Sequence, residues 1–315
     1  MKKKILITGG CGYTGTLLIQ HLLKIEAYEI ICIDTQWFGC FLKKNKNLKI
    51  IKADIRKIDD KYFRGVDTVI HLANIANDPA VKLRPNLSWD VNVLGSYKLV
   101  NQSIKNKVRK FIYASSGSVY GIKKEKKVTE DLSLLPISIY NKTKMISERV
   151  LMSYSDKIIV NCIRPATVCG LSPRMRFDIS VNLLTLSAIK KKIVKVFGGK
   201  QTRPNINIKD LVRVYEFFLK KNIKSGFYNA GFENMKIIDI AKIISKKTNS
   251  NIKILKSNDP RSYRQDSSKL LGLGFKRKYN VENAIDEIIH SLKNKEIEDS
   301  PKFHTVNWMK KMKIK

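Results

Sequence analysis

The sequence predicts an α/β fold in which a doubly wound parallel sheet is followed by a smaller mixed C-terminal part. Strand-length apolar runs alternate with segments of helical periodicity through the first half of the chain, and a glycine-rich turn follows the first run. Such alternation is typical of parallel sheets covered by helices on both faces. The regular alternation of strand-like and helix-like segments ends near residue 165. We therefore expect one domain over residues 1–165 and a second part over 166–315, with the chain free to cross back between them.

The first βαβ unit is predicted between residues 4 and 34. An apolar run over 4–8 leads into the turn Gly9-Gly10-Cys11-Gly12-Tyr13-Thr14-Gly15, an amphipathic segment covers 16–24, and a second apolar run ends at Asp34. A strand, a glycine-rich turn, a helix and an acidic residue in this order form a dinucleotide-binding pattern. We therefore expect a Rossmann domain.

Three glycines and one aspartate in this unit indicate what it binds. Gly9 allows the tight turn, Gly12 lets backbone N–H groups approach a pyrophosphate, and Gly15 lets the helix lie against the strand. The helix N-terminus presents its positive dipole end to the phosphates. The Asp34 carboxylate can accept hydrogen bonds from a ribose diol and would repel a 2′-phosphate, so NAD is expected rather than NADP.

The remaining elements follow from periodicity. In the first domain we predict strands over 50–52, 68–73, 110–114 and 158–163, and helices over 87–104 and 140–154. In the second part we predict helices near 209–220, 236–249 and 281–292, and strands near 193–197 and 252–255. This part is expected to cover the carboxyl edge of the sheet, where ligands bind in open α/β folds. The last residues, 303–315, are too few for a prediction.

Composition argues against membrane-spanning, metal-binding and nucleic-acid-binding proteins. No apolar run approaches the roughly 18–20 residues that span a membrane, and the five cysteines lack metal-ligand spacing, so we expect a cytoplasmic protein without a metal site. The formal charge of +34 is mostly lysine scattered over the whole chain. Nucleic-acid binding would need a basic face with aromatic residues, and no such face is evident. The charge is expected only to steer anionic substrates.

A serine, a tyrosine and a lysine supply candidate chemistry. Tyr140 and Lys144 have the i, i+4 spacing that places two side chains on one helix face. A nearby ammonium favours the phenolate, which can then remove a proton from a sugar hydroxyl, and Ser116 after the strand over 110–114 can bond to the same oxygen. Tyr120 and Lys124 have this spacing too, but no helix is predicted there.

Further motifs carry a family resemblance. They are the turn from Thr8 to Gly15, Asp54-Ile55-Arg56, His71-Leu72-Ala73-Asn74, Asn92-Val93-Leu94-Gly95, Ser115 to Gly121, Tyr140 with Lys144, Arg164 to Gly170, Ser172 to Asp178 with Asn182, Arg203 to Asp210, and Asp259 to Tyr263. With them the chain resembles, almost end to end, the extended short-chain dehydrogenase/reductases, specifically the NAD-dependent nucleotide-sugar epimerase/dehydratase family. Cys169 replaces a usual tyrosine, and Asn207 stands where the family often has histidine.

The resemblance implies roles for individual residues. Those expected to be catalytic are Ser116, Tyr140 and Lys144. Those expected at NAD are Gly9, Gly12, Tyr13, Thr14, Gly15, Asp34, Asp54, Ile55, Leu72, Ala73, Asn92, Tyr140, Lys144 and Pro165. Those expected at a nucleotide-diphosphate sugar are Ser116, Arg174, Asn182, Arg203 and Arg261. The resemblance also implies a homodimer formed through the helices over 87–104 and 140–154.

Two positions after the catalytic serine narrow the reaction. Dehydratases of the family carry an Asp-Glu pair there, and decarboxylating relatives carry Glu at the second position, whereas this chain has Gly117 and Ser118. The resemblance therefore favours epimerisation by transient oxidation, at C4, with 4-keto-sugar reduction as the alternative. A non-catalytic protein that senses NAD or binds nucleic acid is a third reading, against which the intact Ser116, Tyr140 and Lys144 argue.

Overall fold

A seven-stranded parallel sheet forms the centre of the molecule, in a computed structural model that describes residues 2–257 and 262–314. The strands are β1 (Lys3–Thr8), β2 (Tyr28–Asp34), β3 (Leu48–Lys52), β4 (Thr68–His71), β5 (Lys110–Ala114), β6 (Ile159–Pro165), β7 (Thr167–Cys169), β8 (Ile193–Phe197), β9 (Thr202–Asn207), β10 (Gly226–Ala230), β11 (Glu233–Lys236) and β12 (Asn251–Leu255). The central sheet has the order β10-β6-β5-β4-β1-β2-β3. The predicted doubly wound fold is thus confirmed.

Helices cover the sheet and build the second part. They are α1 (Tyr13–Leu23), α2 (Asp78–Leu83), α3 (Pro85–Trp89), α4 (Gly95–Lys105), α5 (Ile139–Met152), α6 (Ser180–Lys191), α7 (Ile208–Lys220), α8 (Ile237–Thr248), α9 (Ser268–Gly272), α10 (Val281–Lys293) and α11 (Thr305–Lys311). The helices predicted in the second part correspond to α7, α8 and α10, and the two predicted strands to β8 and β12. No helix of the described ranges is long and apolar enough to cross a bilayer.

The seventh strand comes from the second half of the chain. β10 pairs in parallel with β6, where Gly226 lies opposite Asn161, and α7 packs against α1. The Ile208–Ala230 stretch therefore belongs to the large sheet and its covering layer, although it lies beyond residue 165. The chain crosses back, and the second part is interleaved with the first.

The predicted helix over 87–104 is interrupted. A π-helical turn, Asp90–Leu94, separates α3 from α4. Within this turn the buried Asn92 side chain accepts a hydrogen bond from the Ile75 N–H at 2.9 Å and donates to the Thr143 hydroxyl at 3.1 Å. Such single π-helical turns within α-helices are frequent at functional sites. The interruption lets Asn92 fasten the loop after β4 to α5.

The buried face of α5 is largely polar, although Met145, Val150 and Leu151 are apolar residues of the helix. Only Leu151 of the three is buried. The other buried side chains of the helix are Asn141, Thr143, Lys144, Ser147 and Glu148. Thr143, Lys144, Ser147 and Glu148 find hydrogen-bond partners in the surrounding structure, whereas the buried Asn141 amide has none among the described residues.

Arg164 on β6 is the strongest of these partners. Its Nε and Nη2 donate to the two carboxylate oxygens of Glu148 at 2.9 and 2.8 Å, and both side chains are almost completely buried. The remaining Nη1 donates to the Tyr120 hydroxyl at 2.8 Å. One guanidinium therefore ties α5 and the segment after β5 to the sheet.

Gly9 is a position where only glycine fits. Its φ is +72°, and a Cβ atom there would lie 2.5 Å from the backbone nitrogen of Ala73. Left-handed backbone costs an L-residue about 1–2 kcal/mol before any clash is counted. We expect Gly9→Ala to lower the free energy of unfolding by more than this amount and to abolish retention of the dinucleotide, as measured by urea unfolding and by analysis of released cofactor.

Gly272 provides the matched control for this substitution. A Cβ atom there would meet nothing within 4 Å. Gly272→Ala should therefore leave retention of the dinucleotide unchanged and should not lower the free energy of unfolding. Equal behaviour of the two variants would show that the turn tolerates a side chain.

Candidate active site

A cavity of about 440 Å³ lies at the carboxyl ends of β1, β4 and β5. The strand order reverses between β1 and β4, which is the point at which open α/β sheets bind ligands. Most residues that the sequence assigns to the cofactor line this cavity, namely Gly9, Gly12, Tyr13, Thr14, Gly15, Asp34, Asp54, Ile55, Leu72, Ala73, Tyr140, Lys144 and Pro165. The cavity thus joins the glycine-rich turn to the predicted catalytic residues.

The glycine-rich turn has the geometry of a phosphate cradle. Gly12 donates its N–H to the Gly9 carbonyl at 3.1 Å and forms the N-terminal boundary of α1, which has no side-chain cap. A Cβ atom at Gly15 would lie 2.5 Å from the Gly9 oxygen, so the helix can approach the strand only with glycine there. The uncapped N–H groups of α1 are left for an anion at the cavity wall.

The Asp34 carboxylate is held in a fixed orientation at the end of β2. It accepts backbone N–H groups from Gln36 at 2.7 Å and from Cys11 at 3.0 Å. Burial raises the pKa of this carboxyl group, although both N–H donors act in the opposite direction. Because the carboxylate is oriented and faces the cavity, it can accept hydrogen bonds from a ribose diol.

Ser116 and Tyr140 meet inside the cavity. Ser138 caps α5 by accepting the Asn141 N–H at 3.2 Å, which places Tyr140 in the first turn of the helix. Burial raises the pKa of Tyr140 to about 12, against the opposing effects of Arg176 and of a hydrogen bond with Ser116. The Ser116 hydroxyl also lies 2.8 Å from that of Ser118.

Lys144 lies one helical turn beyond Tyr140 and lines the same cavity. Its Nζ donates to the Ala114 carbonyl at 2.5 Å and lies 4.7 Å from the centre of the Tyr113 ring. Burial lowers the pKa of Lys144 to about 7, and Glu148 acts in the opposite direction. The ammonium is thus directed towards the end of β5, whereas the sequence predicts that it lies beside the Tyr140 hydroxyl.

Two arginines add positive charge to the cavity wall. The Arg174 guanidinium lies 4.3 Å from the centre of the Phe38 ring, and the Arg176 Nε is 3.0 Å from Asp178 Oδ1. Arg174 Nε and Arg176 Nη2 are buried without a hydrogen-bond partner among the described residues. Buried N–H donors without partners are costly, so these two favour an anionic or oxygen-rich ligand.

Comparison with known proteins agrees with the dinucleotide site that the geometry indicates. The NAD dependent epimerase/dehydratase family matches residues 5–231, which is most of the chain. The chain belongs to this family. NAD is accordingly its cofactor, and the protein is an enzyme of the extended short-chain dehydrogenase/reductase type.

Individual relatives support this assignment. The chain is 28% identical to a UDP-glucose 4-epimerase of Lactobacillus helveticus, over 90% of this chain and 94% of that protein. It is 32% identical to an uncharacterised UDP-glucose epimerase of Bacillus subtilis (strain 168), over 67% of this chain and 70% of that protein. Among solved structures, UDP-glucuronic acid 4-epimerase from Bacillus cereus, in complex with UDP-glucuronic acid and NAD, superposes with a TM-score of 0.83 at 29% identity and covers 92% of this chain and 99% of that chain.

The residues of this epimerase/dehydratase fit the cofactor that the family name implies. The glycine-rich turn and the N-terminus of α1 suit a pyrophosphate, the oriented Asp34 suits a ribose, and Tyr140 and Lys144 lie at the other end of the cavity. The Asp54 side chain is also held in place. Its Oδ2 lies 2.6 Å from Arg56 Nη2, and this ion pair fixes the segment that also contains Ile55.

Some sequence-assigned residues do not line the cavity. Asn92 lies behind it in the π-helical turn. Asn182 donates to the Tyr13 hydroxyl at 3.1 Å and accepts the Gly170 N–H at 3.0 Å, so it holds a cavity residue in place. Arg203 lies on β9, outside the residues that line the cavity. Arg261 lies outside the described residues.

Two positions that depart from the family pattern have structural roles. Asn207 caps α7 by accepting the Lys209 N–H at 2.9 Å and donates to the Asn280 carbonyl. Cys169 is fully buried in the core of the second part. Tyr120 is also accounted for, because its hydroxyl donates to Asn229 Oδ1 at 2.8 Å and it lies outside the residues that line the cavity.

Other cavity residues were missed from the sequence. Trp37 and Phe38 follow Asp34 in a segment without regular secondary structure, and Thr305 and Met309 lie on α11. The sequence feature that could have indicated this segment is the pair Trp308 and Met309 within a lysine-rich stretch. Their placement in the cavity could not be foreseen, because no local pattern relates residues 305–309 to the end of β2.

The pKa of Lys144 makes the stability of the cofactor-free enzyme depend on pH. The pKa of Lys144 is about 7 in the folded protein, against 10.5 for an ordinary lysine side chain in water. Between these values the unfolded chain holds one more proton, so the contribution of Lys144 to the free energy of unfolding rises with pH by about 1.4 kcal/mol per unit. We therefore expect Lys144→Met to be more stable than the wild type below pH 7, and this advantage to shrink up to about pH 10.

Urea unfolding of both proteins at pH 6.5, 8 and 9.5 would measure this effect. Lys142→Met, on the exposed face of the same helix, is the control and should differ from the wild type by a constant amount. A constant difference for Lys144→Met as well would contradict a buried, destabilised ammonium.

Proposed function

We propose that this protein is a nucleotide-sugar epimerase that acts by transient oxidation of a sugar hydroxyl at C4. The observation that carries the proposal is that Ser116, Tyr140 and Lys144 line the same cavity as the glycine-rich turn and Asp34. A proton-transfer group thus lies within the compartment that suits a dinucleotide. Such an arrangement supports alcohol oxidation coupled to hydride transfer.

The protein residues divide the proton chemistry between them. Tyr140 removes the hydroxyl proton as the base, and Ser116 hydrogen-bonds the same substrate oxygen. NAD supplies hydride acceptance and return when it is bound. Burial raises the pKa of Tyr140 to about 12 and the positive charge of Arg176 acts in the opposite direction, so cationic groups at the cavity make the phenolate more accessible.

The residues after Ser116 argue against elimination of water. Gly117 and Ser118 carry no carboxylate, and the Ser118 hydroxyl bonds to that of Ser116. A returned hydride on the opposite face of the keto-sugar gives an epimer with no net redox change. Reduction of a 4-keto-sugar is the alternative, and it would consume NAD(P)H stoichiometrically.

We propose a nucleotide-diphosphate sugar as the substrate. Arg174 and Arg176 support it, since both residues line the cavity and each has a buried N–H donor without a partner among the described residues. Arg203, Arg261 and Asn182 are retained as proposed substrate-side residues, the last through its hold on Tyr13. The relatives named above act on UDP-sugars, which makes these the first to test.

The test is to incubate the purified enzyme with UDP-, dTDP-, GDP- and CDP-sugars and to follow epimers by NMR. We expect Tyr140→Phe to lose at least about a hundredfold in rate, as removal of a general base does, while bound NAD is retained. Tyr62→Phe, remote from the cavity, is the control. Full activity of Tyr140→Phe would refute the mechanism, and net NADH consumption would favour the reductase.

We propose a homodimer and a cytoplasmic location as well. Leu94 and Tyr97 at the start of α4 are 58% and 49% exposed. The Tyr97 ring lies 6.5 Å from that of Tyr154, just after α5, so the two helices share an apolar surface. A cytoplasmic location is supported by the five cysteines, all of which are free thiols.

Charge on this surface should prevent association. We expect Tyr97→Glu to shift the protein from dimer to monomer in sedimentation velocity, because two buried carboxylates would face each other across a two-fold axis. Ile254→Glu alters an equally exposed apolar side chain on β12 and should leave the dimer intact. A monomeric wild type would contradict the proposal.

A further inference from the structure

Three thiols meet beside the glycine-rich turn. The Sγ atom of Cys11 lies 4.0 Å from that of Cys32 and 3.6 Å from that of Cys40. Cys11 lies within the turn and lines the cavity. The reaction proposed above uses none of these groups.

The Cys11–Cys40 pair is the closer of the two and is the one that does not involve a central strand. Cys32 is fully buried in β2, between β1 and β3. Cys40 is exposed and lies in residues 35–44, which have no helix or strand. A disulfide needs the sulfurs about 2.05 Å apart, and a loop can supply the missing approach more readily than a central strand.

The loop that carries Cys40 forms part of the cavity wall. Trp37, Phe38 and Gly39 line the cavity from this loop. The Cys11 N–H at the other side bonds to Asp34, the predicted ribose acceptor. A covalent link between Cys11 and Cys40 would therefore join the two walls between which the adenosine half of a dinucleotide must enter and leave.

We propose that Cys11 and Cys40 form a reversible disulfide that closes the loop over bound NAD and slows its release. The oxidant is a low-molecular-weight disulfide such as glutathione disulfide. The Cys40 thiolate attacks one of its sulfurs, a mixed disulfide forms and one glutathione leaves. The Cys11 thiolate then attacks the Cys40 sulfur and releases the second glutathione. Two protein thiols are oxidised, one glutathione disulfide is reduced to two thiols, and the two cysteine protons pass to them.

The two thiols differ in exposure, and this difference sets the order in which they react. Cys40 is the accessible thiol and reacts first. The pKa of Cys11 is raised, chiefly by its hydrogen bond with Cys32 and by burial, so it reacts second and slowly at neutral pH. The closing step should accordingly be faster at higher pH, because the thiolate is the nucleophile.

The experiment uses the holoenzyme loaded with radiolabelled NAD. After glutathione disulfide treatment and removal of the reagent, we expect titratable thiols under denaturing conditions to fall from five to three, and peptide mapping to link Cys11 with Cys40. A chase with unlabelled NAD should show release slowed on the order of tenfold, a typical size for coupling between two sites. Dithiothreitol should restore both values.

Two serine variants decide which thiols react. Cys40→Ser should keep four titratable thiols and the fast release after treatment, whereas Cys32→Ser should still lose two thiols and slow its release. Five remaining thiols in the wild type, a Cys11–Cys32 link, or unchanged NAD release from the linked protein would each overturn the proposal. Neither readout needs a sugar substrate, so failure here is distinct from failure of the epimerase proposal.

Discussion

The ion pair between Arg164 and Glu148 is the constraint on which the active site depends. It is almost completely buried and bidentate, and its third arm reaches Tyr120, so β6, α5 and the segment after β5 have one fixed arrangement. Loss of one partner from such a pair costs about 3–5 kcal/mol, because the other charge is left buried alone. Glu148 is one helical turn beyond Lys144, which is itself one turn beyond Tyr140. This ion pair therefore fixes the orientation of the α5 face that carries Tyr140 and Lys144.

Burial away from water shifts the pKa values of two residues on the same face of α5. Burial moves the pKa of Tyr140 up to about 12 and that of Lys144 down to about 7, and both shifts favour the neutral forms. Both directions oppose the pairing of a phenolate with an ammonium that the i, i+4 spacing suggests. Arg174 and Arg176 line the same cavity and add positive charge to it, and Arg176 acts to lower the pKa of Tyr140.

The cavity is covered by segments from distant parts of the chain. Trp308 Nε1 on α11 donates to the Trp37 carbonyl at 2.6 Å, and the Thr305 N–H donates to Asp178 at 3.1 Å. Met309 on the same helix is buried against the first domain. The C-terminal helix therefore fastens the loop after β2 to the loop that carries Arg174 and Arg176. These contacts hold two segments of the cavity wall in place.

The sequence by itself determined the features that are encoded locally. The alternation of elements, the glycine spacing, the position of Asp34 and the start of α5 near residue 140 all follow from patterns within a few residues, and the fold class that they predict is confirmed. Tertiary structure alone decided the placement of β10 in the large sheet, the polar inward face of α5 and the position of α11 at the cavity. These depend on partners far apart in the chain, such as Arg164 for Glu148 and Trp37 for Trp308. The direction of the Lys144 pKa belongs to the same group, since burial is a property of the packed molecule and not of a spacing.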